Sequence, residues 1–425
     1  MRKRPMRQDT ILAGLMLLCA GLTACAGTGG GQQTVQEEQT AQQVTVPASH
    51  VVLTVAARSG SHTDVINSVK ADFEQSHNCT VEVLGMEADE LVELVSEDAE
   101  REYGSYDLVM IDDPLMPQYM EDGVLYNLTA AGYTDDPDFV DKSLALGKDP
   151  YALGPTYALP FTGNVQLLFY NKERVGGGAD ISTWQGVLAA ARAAQEAGYH
   201  GYCVRGQSGN PVVSDFLPIL WAYGGDIFDD NDQVIIYSKE SIAALSFYLE
   251  LLETGVNQDK DTIIKEVQGG EAAFALGWPS WFISGDGASA SYEQIPSKMV
   301  DTSEALSTGE IGNWMMGVTA NTTQPALAME LLIYLTSREV QRKAIDAGGI
   351  PTRTSIFVDP MVEVKHPYLE VIHAGTINSR VRPRTSKWAQ IEEVFGAELS
   401  ACIEGKKTAA DALQAAQDAV EALME

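Results

Sequence analysis

From residue 51 the chain alternates short apolar segments with segments of helical periodicity, and this alternation constrains the fold more than any other feature. The first segment, Val51–Ala57, has the length of one strand. Apolar residues then recur at intervals of four, as on one face of a helix: Val65, Val69 and Phe73. The same alternation continues with a second strand, an acidic helix and a third strand, expected over residues 80–84, 89–100 and 106–111. This β-α-β-α-β order predicts a parallel sheet covered by helices on both faces, and therefore an α/β fold.

The charge balance limits the partners of the chain. Its 425 residues include 28 Lys and Arg against 59 Asp and Glu, a formal net charge of −31. So large an acidic excess repels phosphate backbones and anionic lipid headgroups. The sequence therefore predicts no nucleic-acid partner and no adhesion to a membrane through a basic patch.

The N-terminus has the pattern of a bacterial export signal. Basic residues near the start precede an uninterrupted apolar run, Ile11–Leu22. This run is shorter than the roughly 20 residues of a membrane-spanning helix, but it has the length of a signal-peptide core. It ends in Leu-Thr-Ala-Cys, which resembles a bacterial lipobox. We expect residues 1–24 to be a lipoprotein signal peptide and Cys25 to be lipidated; the alternative is an ordinary secretory signal in which Cys25 is incidental.

The segment after Cys25 is predicted to be a flexible linker. It is rich in Gly, Gln and Thr and has almost no apolar periodicity, so residues 25–49 should tether the folded body to the lipid anchor. The expected location is the extracytoplasmic face of the cell membrane, with the anchor as the sole membrane attachment. Three cysteines remain beyond the export segment, without a metal or redox spacing, so we expect no metal and no cofactor: Cys79, Cys203 and Cys402.

The sequence lacks the motifs of the common catalytic sites. It contains no GxSxG, no P-loop and no GxGxxG followed by an acid. Two pairs of adjacent carboxylates occur, Asp112-Asp113 and Asp229-Asp230. Adjacent side chains usually point apart, whereas a glycosidase needs two carboxyl groups that face one bond at about 5–10 Å. The sequence therefore does not predict an enzyme.

Several segments, read in chain order, resemble the extracellular solute-binding proteins of ABC importers, in particular the sugar-binding family that includes maltose-binding protein. Their order along the chain is more specific than any one of them. The segments are Tyr157–Pro160, Leu168–Lys172, Thr183-Trp184, Tyr223–Asp226, Gly270–Phe274, Gly277-Trp278, Ile311–Val318, residues 325–346, Gly349–Pro351 and the last helix after Gly405.

The resemblance implies a two-lobed α/β fold of the type II periplasmic-binding-protein kind, with a ligand cleft at the hinge. It places residues 50–161 and 297–350 in an N-terminal lobe and residues 162–296 and 351–425 in a C-terminal lobe. The implied protein is a monomeric substrate-binding lipoprotein that captures a sugar, in particular an oligosaccharide. It would deliver this ligand to the membrane permease subunits of an ABC transporter, which work with a cytoplasmic ATPase.

Sugar sites combine aromatic platforms for apolar C–H faces with planar side chains that hydrogen-bond the hydroxyls. Trp278 and Trp281 flank Pro-Ser in a Gly-rich stretch with the composition of a loop, and Trp314 enters an apolar strand. A core position is the alternative for each of them, and Trp184 is expected to be structural. For His62 the sequence favours two interpretations equally, a ligand contact and an ordinary residue at a helix N-terminus. The polar candidates are Ser59, Ser61, Asp112, Asp113, Asn164, Gln207, Asn210, Asp215 and Arg353.

Two other functions remain open. The same fold could bind a polyamine or another small solute, because Asp112, Asp113 and Asp215 supply carboxylates. A cell-surface enzyme that acts on glycans is the alternative from another class. Maltose itself is not implied, since the loop Arg58–Ser61 and Asn164 depart from the pattern of the best-known maltose binders.

Overall fold

Two five-stranded sheets form the framework of the described part of the chain. The computed structural model describes residues 50–284, 287–297 and 308–425. The predicted signal peptide, Cys25 and the linker therefore lie outside the described residues. The strands within these ranges are β1 (Val51–Arg58), β2 (Cys79–Met86), β3 (Leu108–Asp112), β4 (Ala158–Thr162), β5 (Leu167–Tyr170), β6 (His200–Val204), β7 (Val256–Asn257), β8 (Ala272–Gly277), β9 (Ile283–Ser284), β10 (Gly287–Ala288), β11 (Ser291–Glu293) and β12 (Trp314–Val318).

Helices connect the strands and form most of the C-terminal part. They are α1 (Ser61–His77), α2 (Ala88–Ala99), α3 (Met116–Glu121), α4 (Asp141–Ala145), α5 (Lys172–Val175), α6 (Trp184–Glu196), α7 (Asn210–Ala222), α8 (Lys239–Glu253), α9 (Lys260–Gly269), α10 (Pro279–Phe282), α11 (Pro325–Leu335), α12 (Arg338–Ala344), α13 (Thr354–Phe357), α14 (Pro360–Lys365), α15 (Tyr368–Asn378), α16 (Trp388–Ile403) and α17 (Ala409–Met424). Single 3₁₀ turns lie at Asp113–Leu115 and Ile345–Ala347. Among the described residues, no helix combines the length and apolar character needed to cross a membrane.

The first sheet confirms the predicted alternation of strands and helices. Its strands lie in the order β2-β1-β3-β12-β4, and β1 pairs in parallel with both β2 and β3. The predicted parallel pairing of these three strands is confirmed, but the sheet as a whole is mixed, because β12 runs antiparallel between β3 and β4. This strand comes from a distant part of the chain, so the pattern over residues 51–113 holds no sign of it. Val65, Val69 and Phe73 are buried, as the helical periodicity predicts.

The second sheet is also mixed, with the order β11-β5-β8-β6-β7. β6 is parallel to β7 and β8, whereas β5 is antiparallel to β8 and β11. A cluster of large buried side chains that includes Trp184, Phe216, Tyr248 and Trp388 forms one of the cores on this side. Trp184 is fully buried, which agrees with its predicted structural role.

Segments that cross between the two sheets are hydrogen-bonded to one another. Residues 163–166 lead from β4 to β5, and residues 308–313 lead into β12. Gln166 N donates to Glu310 O at 2.9 Å, and Gly312 N donates to Asn164 O at 3.0 Å. Gly163 N donates to Ile350 O at 2.8 Å and so ties a third segment to this junction. The crossing segments therefore meet at one junction between the two sheets.

The sequences Ser182–Gln185 and Thr336–Glu339 each have the pattern of a capping box, Ser or Thr followed three residues later by Gln or Glu, but the N-cap that they predict is wrong by one residue. The N-cap of α6 is Thr183 rather than Ser182, and the N-cap of α12 is Ser337 rather than Thr336. In both cases the neighbouring hydroxyl has another partner: Ser182 Oγ donates to Asp180 Oδ1 at 2.6 Å, and Thr336 Oγ1 donates to Leu332 O at 2.9 Å. Ser and Thr are both favoured N-caps, but Gly186 and Val340 stand three residues after the observed N-caps, so neither helix start has the Glu or Gln of a capping box. The three remaining cysteines are free and buried.

Candidate ligand-binding site

A cavity of about 330 Å³ lies between the ends of the two sheets. Its walls include the carboxyl ends of β1, β3 and β8, which is the edge where open α/β sheets place their ligands. This volume is at the lower end of the roughly 300–1,000 Å³ found for small-molecule sites. The lining residues are Arg58, Ser59, Gly60, Ser61, His62, Asp112, Asn164, Arg205, Asn210, Lys260, Trp278, Ser280, Trp281, Gly312, Trp314 and Arg382.

A second cavity, of about 420 Å³, adjoins the first. The two share Asp112, Asn210 and Trp314 as lining residues. The second is more apolar, with Leu91 and Tyr119 among the side chains of its wall. Together they form a groove with one polar and one apolar part.

The three predicted tryptophans all line the first cavity. Trp278 lies against the crossing segment at Gly312, where an added Cβ would come within 2.5 Å of Cη2 and Cζ3 of the indole. Glycine at this position therefore lets the ring lie directly against the backbone. The ring of Trp314, at the start of β12, lies 5.5 Å from that of His62, centroid to centroid. Burial, with Arg58 nearby, lowers the pKa of His62 to about 4, so this ring is neutral at physiological pH.

The prediction of a loop around Trp281 is wrong. Pro279–Phe282 forms one helical turn, α10, which begins with a proline, a residue favoured at the first position of a helix. Phe282 is 1% exposed and stacks on Phe169 at 4.2 Å between ring centroids. Its neighbour Trp281 is partly exposed and lines the cavity. The turn thus anchors one aromatic ring in the core and presents the other to the site.

The predicted polar residues that line the cavity come from turns and helix starts. Ser59 and Ser61 flank Gly60, whose φ of +88° closes the tight turn between β1 and α1. Asn210 begins α7, and its Nδ2 donates to Glu392 Oε1 at 2.8 Å. Asn164 belongs to a crossing segment, and its buried Oδ1 has no hydrogen-bond partner among the described residues. An unsatisfied buried acceptor beside a cavity is available to a ligand donor.

The other predicted polar residues lie outside the cavity lining and have partners elsewhere. Asp113 is fully buried and accepts from Arg382 Nη2 at 2.8 Å. Asp215 Oδ2 accepts from the hydroxyl of Tyr248 at 2.7 Å. The other two are fixed in the same way: Gln207 Nε2 donates to Gln258 O at 2.9 Å, and Arg353 Nε donates to Thr336 O at 2.7 Å. Asp112 lines the cavity and Asp113 does not, yet the two carboxylates do not point apart, because both lie within 3.4 Å of Arg382 Nη2.

Among the described residues that line the cavity, one is a carboxylate, Asp112, and four are basic: Arg58, Arg205, Lys260 and Arg382. Arg205 and Lys260 were not among the predicted site residues. A signal for Arg205 does exist, since it directly follows β6, whose carboxyl end lies at the same edge as that of β8. Lys260 begins α9 and has no comparable signal.

Arg382 holds the junction of the sheets together. The side chain is 3% exposed, and its Nη2 lies 2.8 Å from Asp113 Oδ1 and 3.4 Å from Asp112 Oδ1. Its Nε lies 3.3 Å from Glu310 Oε1, on the crossing segment. Burial raises the pKa values of Asp113 and Glu310 to about 7, and the Arg382 guanidinium opposes this rise. One buried cation thus contacts the end of β3 and the segment that leads into β12.

The sequence matches a known family over most of its length. Residues 68–367 fit the profile of the bacterial extracellular solute-binding proteins. The chain belongs to this family. The resemblance that the sequence motifs indicate is thereby confirmed at the level of the family.

Two curated relatives are ABC transporter components by name. A probable ABC transporter-binding protein of Deinococcus radiodurans is 23% identical over 282 residues, which cover 61% of this chain and 67% of the relative. A probable amino-acid ABC transporter periplasmic-binding protein of Sinorhizobium fredii is 24% identical over 277 residues, which cover 63% of this chain and 64% of the relative. The chain thus spans about two thirds of the length of these relatives.

A solved structure confirms the fold. The maltose-bound MalE3 of T. maritima superposes with a TM-score of 0.77 at 24% identity, covering 88% of this chain and 100% of that one. The predicted two-lobed α/β fold of the type II periplasmic-binding-protein kind is therefore confirmed. The positions of the lobe boundaries and the ligand contacts remain predictions.

Proposed function

We propose that this protein is the substrate-binding component of an ABC transporter and that it captures a sugar in the first cavity. The observation that carries the proposal is the convergence of Trp278, Trp281 and Trp314 on one polar cavity at the junction of the sheets. Indole rings pack against the C–H faces of a sugar, while Asn164 and Asn210 supply planar hydrogen-bonding groups. The adjoining second cavity gives room for a further sugar unit, in agreement with a short oligosaccharide.

The proposed lobes are those expected from the sequence, with residues 50–161 and 297–350 in one and residues 162–296 and 351–425 in the other. The crossing segments at 163–166 and 308–313 support this division, because each leads between the two sheets or towards the junction. Closure of the lobes around a ligand gives a permease two states to distinguish. Membrane permease subunits and their cytoplasmic ATPase are the proposed partners.

A polyamine is a poorer fit than a sugar. Of the three carboxylates that favoured a polyamine, Asp113 and Asp215 lie outside the cavity lining. Arg205 and Lys260, the two basic side chains of that lining without a close carboxylate partner in the cavity, would repel a polycation. The name of the Sinorhizobium fredii relative favours an amino acid as the second candidate.

We further propose that the protein releases its ligand chemically unchanged. Asp112 is the single carboxylate among the described residues that line the first cavity, and glycoside hydrolysis needs two.

A thermal-shift screen of the purified protein tests which class of solute binds. The probes are mono- and oligosaccharides, amino acids and polyamines. We expect a sugar to raise the melting temperature, because a ligand that binds the folded state stabilises it. A response to amino acids or polyamines, with none to any sugar, would contradict the proposal.

Lipid anchoring through Cys25 is also proposed. In the Cys25→Ala protein the acyl chains have no thiol to modify, so we expect a soluble product or an unprocessed precursor. Fractionation after an alkaline carbonate wash, with the size of the product determined on the same samples, measures this. Equal membrane retention of wild type and variant, with unchanged processing, would mean that Cys25 is incidental.

A further inference from the structure

We infer that the ligand carries an anionic group, a carboxylate or a phosphate on a sugar-sized molecule, and that this group binds Arg205 and Lys260 beside Trp281. This inference deepens the proposed function and rests on it. The first observation is the contrast between the cavity and the rest of the chain. A protein with a formal net charge of −31 gathers four basic side chains and one acidic one in the lining of a single cavity.

Two of these four cations have carboxylate partners in the structure. Arg382 is surrounded by Asp112, Asp113 and Glu310 at 2.8–3.4 Å. Arg58 Nη2 lies 2.8 Å from Glu87 Oε2, and its Nη1 donates to Met86 O at 3.1 Å. Their charges are therefore largely neutralised before any ligand arrives.

Arg205 is different because it forms no ion pair with any carboxylate of the described residues, and its Nε is buried without a hydrogen-bond partner. The residue is 7% exposed, and its Nε is buried with no partner among the described residues. Asp215, the nearby carboxylate, accepts instead from Arg205 N and from the hydroxyl of Tyr248 through Oδ2. A buried charged donor without an acceptor is unfavourable, so the guanidinium needs an acceptor that the described residues do not supply.

Lys260 supplies the second cation at the same indole. Arg205 Cζ lies 4.9 Å from the Trp281 ring centroid, and Lys260 Nζ lies 5.8 Å from it. The carboxylate nearest to Lys260 is that of its exposed neighbour Asp261, 4.0 Å away, which is a weak surface contact. Two cations therefore flank one aromatic platform, an arrangement that suits a sugar ring with an acidic substituent.

The test compares acidic sugars with their neutral parents by calorimetry and thermal shift. The probes are D-glucuronate against D-glucose, D-galacturonate against D-galactose, and D-glucose 6-phosphate, with inorganic phosphate as an anion without a sugar. We expect an acidic member to bind at least about tenfold more tightly than its parent, because charge-assisted hydrogen bonds are among the strong ones. The uronates test whether the anionic group is a carboxylate, and D-glucose 6-phosphate tests whether it is a phosphate.

Variants at the two cations locate the effect. Arg205→Gln should weaken binding of the acidic sugar by about 10- to 100-fold and that of the neutral parent by less than about threefold. Lys260→Gln should weaken binding of the acidic sugar by about three- to tenfold. Lys260 is about half exposed, so this change should preserve the fold. Lys239→Gln is the control, because 90% of the Lys239 side chain is exposed on the surface. This change should alter neither the affinity for either sugar nor the melting temperature.

A double variant separates binding from folding. If Arg205→Gln lowers stability because Asp215 loses its neighbouring cation, Arg205→Gln/Asp215→Asn should restore the stability but not the affinity. Equal affinities for acidic and neutral sugars, or affinity unchanged in Arg205→Gln, would overturn the inference and leave the proposed function intact. The absence of binding by every acidic probe would overturn it as well. Binding of inorganic phosphate as tight as that of the sugar phosphate would support the anion site and contradict the sugar.

Discussion

The Arg382→Met protein should be less stable than the wild type by about 3–5 kcal/mol at pH 8, because the change removes the cation that contacts the buried Glu310 and leaves Asp113 only Arg384, whose Nη1 lies 3.9 Å from Asp113 Oδ2. Asp113 and Glu310 are both fully buried, and Arg382 is the basic side chain that contacts the two of them. Urea denaturation measures the loss. Arg380→Met is the matched control, since Arg380 lies in the same segment but forms an exposed pair with Asp226. The Arg380→Met protein should lose no more than about 1 kcal/mol of folding stability.

The dependence on pH follows from the same carboxyl groups. The pKa values of Asp113 and Glu310 are about 7 in the folded protein, because burial raises them more than Arg382 lowers them. Unfolded carboxyl groups titrate near pH 4, as a rough value. Between these pH values the folded chain binds more protons than the unfolded chain, so their contribution to stability is full below about pH 4 and is lost as the pH rises through about 7.

Removal of Arg382 should raise both pKa values further. The deficit of Arg382→Met relative to the wild type should therefore be smaller at pH 5 than at pH 8, since the orphaned carboxyls can be neutralised by protons. Urea midpoints of both proteins at the two pH values measure this. A deficit that is independent of pH, or no larger than that of Arg380→Met, would show that Arg382 does not compensate these buried charges.

The Trp278→Ala protein should bind its ligand about 10- to 1,000-fold more weakly, because the change removes a large aromatic contact from the centre of the site. Stability should fall less than affinity, since Trp278 is partly exposed at the cavity. Gly312→Ala should act in the same direction, because its Cβ would lie within 2.5 Å of the indole and displace it. Calorimetric affinity and the urea midpoint are measured on each protein.

Phe282→Ala provides the inverse control from the adjacent helical turn. Phe282 is buried against Phe169, so its removal should cost about 3–5 kcal/mol of folding stability through the cavity it leaves. Its effect on affinity, in molecules that remain folded, should be smaller than that of Trp278→Ala. Normal affinity in a badly destabilised Trp278→Ala protein would place Trp278 in the core and leave Trp281 and Trp314 as the platforms.

The sequence predicts local features well where one pattern dominates. The periodicity of Val65, Val69 and Phe73 predicts the buried face of α1, and the apolar runs predict β1, β2 and β3. The position of β12 between β3 and β4 is beyond such patterns, because it depends on a pairing between distant parts of the chain. The same limit applies to the junction, where Arg382 meets Asp113 across the fold.

The site was predictable to the extent that residue type alone indicates a role. Tryptophans in a polar context pointed to the cavity, and they line it. Arg205 carried only the weak signal of its place directly after β6, because a basic residue after a strand is ordinarily solvated. Its role became visible only with its burial, its unpaired Nε and its contact with Trp281. Conversely, Asp215 and Arg353 are polar residues whose buried partners lie in distant segments, so sequence could not separate them from ligand contacts.

Small-angle X-ray scattering with and without ligand tests the central claim, that two lobes close around a solute in the cavity at the junction of the sheets. The measurement uses the sugar that raises the melting temperature in the thermal-shift screen, at a saturating concentration. We expect the radius of gyration to fall when this sugar is added to the wild type. Under the same conditions the radius of the Trp278→Ala protein should fall less, because this protein binds the sugar about 10- to 1,000-fold more weakly and is less fully occupied. A radius that does not change in the wild type, at a concentration where calorimetry shows full occupancy, would contradict the account.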